Sequence, residues 1–350
     1  MVPLVPLYDA VADLPLEVES YELERLELVV SPTFTRVTTT VHLQGGGEEG
    51  IGEDVTYTAD DHPPPGDLPL AGSHTLDTYS RLLDGLELFP RKPEMDASSD
   101  YRRWAFECAA LDLALRQAGR SLADVVGREA RPVTFVSSMN FGSPPSAEPL
   151  YKKRAAYPEL RFKLDPTDEW SEELIDELGS LGVVDTLDLK GQYKGTPVDQ
   201  PPDPVLYRRV AEAFPEAWIE DPAVTDATRS ILEEHSARVT WDAPIHSVED
   251  IENAPWPPRT INIKPSRFGS VRRLFEAYDY CAANDIAAYG GGQWELGPGR
   301  GHIQYLASLF HPDTPNDVAP GGYNASDPPP GLPTSPLEPA PAPAGFRWEQ

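Results

Sequence analysis

Apolar and polar residues alternate between positions 17 and 57, in Tyr21-Glu-Leu-Glu-Arg-Leu-Glu-Leu-Val-Val and again in Thr35-Arg-Val-Thr-Thr-Thr-Val-His-Leu; Gly45-Gly-Gly then turns the chain into Gly50-Ile-Gly-Glu-Asp-Val. A period of two puts every second side chain on one face, which predicts a small antiparallel sheet. From Tyr101 the period changes: Trp104, Cys108, Leu111 and Leu115 recur at helical spacing until Gly119, and Ser121 caps a short turn ending at Gly127. Beyond Arg131 a unit of short apolar strand, loop and amphipathic helix repeats. Its strands are Val133 to Val136, Leu160 to Leu164, Val183 to Lys190, Ala217 to Ile219, Arg238 to Trp241, Thr260 to Lys264 and Ile286 to Tyr289. Strands that alternate with helices in this way predict a parallel α/β barrel. From Asp327 the runs Pro-Pro-Pro-Gly, Leu-Pro-Thr-Ser-Pro and Pro-Ala-Pro-Ala-Pro predict a polyproline-like tail, extended over the surface or disordered.

Charge narrows the function. With 57 acidic against 29 basic residues the net charge is −28, which repels nucleic-acid backbones and anionic membranes. Cys108 and Cys281 sit among apolar neighbours in helical patterns, so two buried, reduced thiols are expected rather than a disulfide. The start, Met1-Val-Pro-Leu-Val-Pro-Leu, lacks the basic and apolar regions of an export signal, and no run reaches membrane-spanning length. A cytoplasmic protein is expected.

Only seven of the 29 basic residues are lysine, and Lys163, Lys190 and Lys264 close strand-like runs. An ammonium can lose its proton near neutrality and a guanidinium cannot, so these positions are candidates for acid–base work. Single carboxylates at Asp188, Glu220 and Asp242 interleave with them, separated by 32 and 22 residues, with Lys264 a further 22 on. Each falls one strand-helix unit after the last, at the carboxyl end of its strand, and such ends converge on one mouth. Three acids side by side repel unless a cation neutralises them, and oxygen donors without histidine or cysteine favour magnesium. The alternative is that strand-end acids cap the following helices and the lysines merely salt-bridge the acidic wall. If Lys163 lies on the second strand and Lys264 on the sixth, they face each other across an eight-stranded ring. Arg161, two residues before Lys163, is expected beside it, where a fixed positive charge would lower its pKa. Lys190 would bind a substrate carboxylate or pair with an acid.

An ordered set of motifs resembles the enolase superfamily, in the branch of mandelate racemase and muconate lactonizing enzymes. It comprises Gly50-Ile-Gly-Glu-Asp-Val, Trp104-Ala-Phe-Glu-Cys-Ala-Ala-Leu-Asp-Leu-Ala-Leu, Arg161-Phe-Lys, Leu187-Asp-Leu-Lys-Gly, Trp218-Ile-Glu-Asp-Pro, Val239-Thr-Trp-Asp-Ala, Ile261-Asn-Ile-Lys-Pro-Ser-Arg-Phe-Gly and Gly290-Gly-Gly-Gln-Trp-Glu-Leu-Gly. The resemblance implies an α/β fold: a modified TIM barrel, (β/α)7β, over residues 129–325, an N-terminal α+β capping domain over 1–128, and a Pro-rich tail over 326–350. It implies Mg2+ on Asp188, Glu220 and Asp242, and Lys163 and Lys264 as opposed catalysts that remove the proton α to a carboxylate, the metal stabilising the enediolate. Elimination, cycloisomerisation or racemisation would follow, with o-succinylbenzoate synthase and muconate cycloisomerase chemistry the nearest. Lys190 stands where relatives often have Asn, Ala243 where they often have Glu, and the eighth-strand segment from Asp317 lacks the second aspartate of dipeptide epimerases. Arg161, Lys190 and Glu295 are the expected contacts to a small carboxylate substrate. The resemblance also favours a homo-oligomer. A different class of reading is a catalytically silent barrel kept as a binding or scaffold protein.

Overall fold

The computed structural model describes residues 6–32, 34–196 and 198–349; the opening residues, on which most of the export-signal reading rests, lie outside that set. The chain first builds a cap. Strands β1 (Pro15–Val18), β2 (Ser20–Ser31), β3 (Phe34–Gly45) and β4 (Glu48–Asp54) follow helix α1 (Asp9–Ala12), and β5 (Gly72–Thr75) pairs back antiparallel on β1. Strands β2, β3 and β4 form the antiparallel sheet that the alternation predicts, in that spatial order, with Gly46 and Gly47 at positive φ (58° and 79°) in the β3–β4 turn. Helices α2 (Leu76–Asp84), α3 (Ser98–Gln117) and α4 (Leu122–Val126) complete it. Gly50 and Gly52 have a packing reason: a Cβ on either would lie within 2.1 Å of the Ala109 or Ala105 carbonyl oxygen of α3, so glycine alone lets that helix lie flat on β4. Ser121 caps α4 and Gly127 (φ 65°) ends it, as the sequence indicates.

The barrel strands are β6 (Ser137–Met139), β7 (Phe162–Leu164), β8 (Val184–Asp188), β9 (Trp218–Glu220), β10 (Val239–Thr240), β11 (Thr260–Ile263) and β12 (Ala287–Gly290). Five pair in parallel in the order β6-β7-β8-β9-β10, and β11 pairs in parallel with β12. Single parallel bridges complete the ring, joining Trp241 to Ile261, Gly291 to Asp317 and Asn316 back to Phe135. The eighth strand is thus reduced to Asn316 and Asp317; Pro315 and Pro320 beside them carry no N–H and stop a ladder from extending. Helices α5 (Glu148–Ala156), α6 (Glu172–Leu181), α7 (Pro204–Ala213), α8 (Arg229–Glu234), α9 (Val248–Glu252), α10 (Pro265–Phe268), α11 (Val271–Ala283) and α12 (Gly299–Phe310) alternate with the strands. No described helix is long and apolar enough to cross a membrane, and both cysteines are free and buried.

Two expectations need correction. The first barrel strand pairs with β7 through Ser137–Met139 rather than through Val133 to Val136, because Val133 and Phe135 are engaged elsewhere. Val133 exchanges two backbone hydrogen bonds, 2.8 and 2.9 Å, with Leu337 of the Pro-rich segment. That segment is no loose tail. It crosses from the barrel to the cap, where Phe346 is fully buried and stacks on His302 at 4.7 Å, and Arg347 Nε donates to Asp112 of α3 at 2.8 Å.

Candidate metal and acid–base site at the barrel mouth

Asp188 and Glu220 are the last residues of β8 and β9 and are register partners; Asp242 follows β10 by two residues. The parallel ladder therefore delivers three carboxylates to one spot. Each offers an oxygen within 4.8 Å of the others, and all three side chains are completely buried.

Four cations meet them. Lys163, central in β7, bonds Glu220 and lies 3.0 Å from Asp188 and 3.8 Å from Asp317. Lys264 reaches Asp242 at 2.8 Å and Arg267, one turn on, reaches it at 2.6 Å. Lys190 pairs with Asp188 and lies 3.7 Å from Asp165. Hydroxyls add to this: Tyr193 donates to Asp242 at 2.9 Å and Tyr289 to Glu220 at 2.5 Å. Asp221, at φ 49°, turns its carboxylate back to accept the N–H groups of Asp242 and Ala243, both at 2.8 Å, and so fixes the chain that carries Asp242.

Charge in the cluster is unbalanced. Six carboxylates (Asp165, Asp188, Glu220, Asp221, Asp242 and Asp317) face four cations, so acids outnumber bases in a largely buried site. Burial pushes Glu220 well above the usual carboxylate range against the pull of Lys163, and burial with Asp242 and Asp188 pushes Asp221 up to about 7. Asp188 and Asp242 go the other way: burial acts on both, but Lys163 and Lys190 hold the first below its ordinary value, and Arg267 and Lys264 the second. Lys163 is raised well above the lysine range, because Asp188 and Glu220 together outweigh its burial. An all-oxygen donor set of three converging carboxylates, in a site where acids outnumber bases, suits a hard divalent cation, so the residues present fit magnesium.

Lys163 and Lys264 arrive from the second and sixth strands of the ring, on opposite sides of the cluster. Arg161 does not join them. Its guanidinium forms an ion pair with Asp185 on the exposed rim and donates to the Gly182 carbonyl, 3.1 Å away. Arg161 precedes β7, and the extra residue at the slip in the β7–β8 pairing is Asp185 of β8, whose carboxylate holds the guanidinium away from the cluster, so the lowering of the Lys163 pKa expected from Arg161 is absent. Lys190 enters by another route than strand alternation: β8 ends at Asp188, and Lys190 turns at φ 53° to bring its ammonium back onto that carboxylate.

Glu295 lies outside the acid cluster, buried, 3.0 Å from Arg300 and accepting the Gln293 N–H at 2.6 Å. The N-terminus of α12 is capped from the other domain instead. Glu53 of β4 accepts from Leu296, Gly297 and Gly299 at 2.7, 3.0 and 2.8 Å. Arg36 of β3, fully buried, donates to the carbonyls of Thr56, Val55, Gln293 and Trp294 at 2.7 to 3.1 Å, and so holds Trp294 at its φ of 59°. Replacing Arg36 with methionine would strand these acceptors, and a loss of about 3 kcal/mol or more in urea unfolding is expected. A loss under about 1 kcal/mol would show that the mouth loop holds its shape without the cap.

Sequence reasoning missed Asp165, Tyr193, Asp221, Arg267 and Tyr289. Asp165 carried a signal, since it stands two residues after Lys163 and shares its face; Arg267 carried another, one helical turn past Lys264. Tyr193 comes from a loop, where no periodicity points inward.

Comparison with known proteins bears on the family and the fold. Residues 129–325 match the family described as the DUF8230 C-terminal domain, a domain of unknown function, and residues 9–125 match its N-terminal domain. An o-succinylbenzoate synthase of Listeria innocua is 36% identical over 84 residues, 23% of this chain and 22% of that protein. An N-succinylamino acid racemase of Amycolatopsis is 42% identical over 67 residues, 19% of this chain and 17% of that protein, so both alignments span under a quarter of the relative. Among solved structures, a magnesium complex of dipeptide epimerase from Methylococcus capsulatus superposes with a TM-score of 0.65 at 17% identity, over 86% of this chain and 89% of that one. Muconate cycloisomerase from Pseudomonas fluorescens gives 0.62 at 16% identity over 87% of each. The chain belongs to the DUF8230 family, and its fold is that of the mandelate racemase and muconate lactonizing enzyme branch of the enolase superfamily.

Proposed function

We propose that this protein is a magnesium-dependent enzyme that removes the proton α to the carboxylate of a small substrate, with Lys163 and Lys264 as the proton-transfer pair. The observation that carries this reading is the approach of two lysines from opposite strands of the ring to one buried trio of acids. Asp188, Glu220 and Asp242 would hold the cation, which when bound supplies electrostatic stabilisation to negative charge on the substrate carboxylate. The lysine facing the α-hydrogen accepts it as an amine; the opposite lysine, as an ammonium, can return a proton to the other face. Return gives racemisation, and loss of a leaving group or ring closure gives elimination or cycloisomerisation. Lys190, the most exposed of the three ammonium groups, is proposed to contact the substrate carboxylate. Arg161 takes no part, and Glu295 shapes the mouth through Arg300. The chemistry of the aligned relatives directs the search toward succinylbenzoate-type acids and N-succinyl amino acids in a cytoplasmic setting.

The test is deuterium uptake at the α-carbon of such acids, followed by NMR in deuterated buffer with magnesium. Exchange with any of them supports the reading, and the absence of exchange across a broad carboxylate panel removes it. Metal binding has its own readout. Magnesium at about 100 times its Kd should stabilise the protein by about 2.7 kcal/mol, and Asp188→Asn with Glu220→Gln should erase that gain. A silent barrel predicts the reverse, no magnesium-dependent shift in either protein.

A further inference from the structure

Strand β2 is the outer strand of the cap sheet, and among the described residues it pairs only with β3. It runs twelve residues, and its last turn toward β3 leaves Leu28, Val29 and Val30 exposed at 46, 74 and 41%. Long edge strands with exposed apolar residues are templates for pairing, and proteins usually blunt them with proline, a bulge or a covering loop. Proline is absent from β2 until Pro32, beyond its end; the pairing with β3 slips between Val29 and Ser31, and the loop after β4 touches the strand where the Ala59 carbonyl accepts from Arg25 at 3.4 Å and the Gly66 carbonyl from Tyr21 at 3.3 Å. Charge is present as well, as Glu22, Glu24, Arg25 and Glu27, and its order decides what the edge accepts.

We infer that β2 pairs antiparallel with β2 of a second copy of this chain, about a two-fold axis through Leu26. Isologous pairing makes the register computable from sequence. A two-fold axis normal to the sheet keeps every side chain on its own face, and directly opposed residues share a face, so the axis must pass through a residue and never between two. Axes through Glu22, Glu24, Arg25 or Glu27 set that charge against its own copy, and an axis through Leu23 opposes Glu22 to Glu24. Like charges directly opposed are destabilising. Axes through Leu28 or Val29 avoid the clash but span only seven or five of the twelve residues of the strand and match no opposite charges.

The axis through Leu26 is different in kind. It opposes Arg25 to Glu27 at both symmetric positions, Leu26 to Leu26 and Leu23 to Val29, and it aligns the regular part of the strand, from Leu23 to Val29, without a like-charge pair. Within one chain Arg25 lies 2.6 Å from Glu27 on an exposed face, side chains 44 and 53% accessible, and donates to the Ala59 carbonyl at 3.4 Å, so both charges are within reach of a second copy at the edge. Opposing this is the net charge of −28 on each copy, whose long-range part is screened beyond about 8 Å at physiological salt.

Sedimentation velocity at physiological salt tests the inference, on the full chain and with no need of substrate or metal. The wild-type protein should sediment at twice its 38.5 kDa protomer mass. Arg25→Glu and Glu27→Arg, each alone, place like charges across the axis and should weaken association roughly tenfold or more. The double exchange of both residues restores opposite charges in the same register and should restore the dimer. Circular dichroism of each variant checks that the sheet still folds. A monomeric wild type, a dimer indifferent to the single changes, or a double variant that stays monomeric would each overturn the proposal, the second by assigning the dimer to another face.

Discussion

Replacing Lys163 or Lys264 with alanine is expected to lower α-proton exchange by roughly 1000-fold on the face that each lysine serves, the middle of the range that one positioned acid or base contributes. The two losses should differ in kind. The lysines enter from the second and sixth strands, and if each addresses one face of a bound carbon, as proposed, a racemisable substrate should lose turnover in both variants. Exchange without inversion should survive from the enantiomer whose α-hydrogen faces the remaining lysine. That split separates a catalytic loss from a structural one. Removing Lys163 also removes a partner of Asp188 and Glu220, so magnesium binding by calorimetry must accompany the kinetics. If the cluster still binds metal and exchange from both faces stays at the wild-type rate, the lysines are ion-pair partners and nothing more.

The sequence was legible where a period or a spacing carries geometry. Alternation in residues 21 to 44 specified β2 and β3, and spacings of 32 and 22 placed Asp188, Glu220 and Asp242 on successive strands of one wall. It was illegible where the backbone departs from its period. Arg161 was read inward by alternation, but it precedes β7 and pairs with Asp185, the extra residue that a slip in the β7–β8 register leaves on β8. Lys190 was read as a continuing strand, yet its φ of 53° folds it back onto Asp188; a positive φ on lysine has no sequence signature of the kind glycine supplies. Arg36 and Glu53 look like ordinary polar positions on a half-exposed sheet, and only the docking of cap on barrel makes them the clamps of the loop after β12. The Pro-rich end misled for a related reason. Proline content forecasts an extended chain, and the chain is extended, but whether it docks depends on Phe346 and Trp348 finding a surface.

That docking supports the second large prediction: Phe346→Ala is expected to destabilise the protein by about 3 to 4 kcal/mol, and Arg347→Ala by about 2 to 3 kcal/mol. Phe346 is completely buried, stacked on His302 and packed against Tyr305 at 5.9 Å, so truncation leaves a cavity between α3 and α12. Arg347 has a different task. Burial raises the Asp112 carboxyl above its usual range, while Arg347 and the N–H groups of Phe346 and Ile51 hold it back. Without the guanidinium that acid should rise further. An acid whose folded pKa lies above its unfolded value of about 3.9 adds stability only while protonated, and that contribution is lost as pH climbs from the unfolded toward the folded pKa. The cost of Arg347→Ala should therefore be larger at neutral pH than near pH 5, and Asp112→Asn in the same chain should recover part of it by removing the stranded charge. Urea unfolding of the four proteins at two pH values measures this cycle. A pH-independent cost, with no coupling between Arg347 and Asp112, would mean that the strap holds the cap by apolar contact alone.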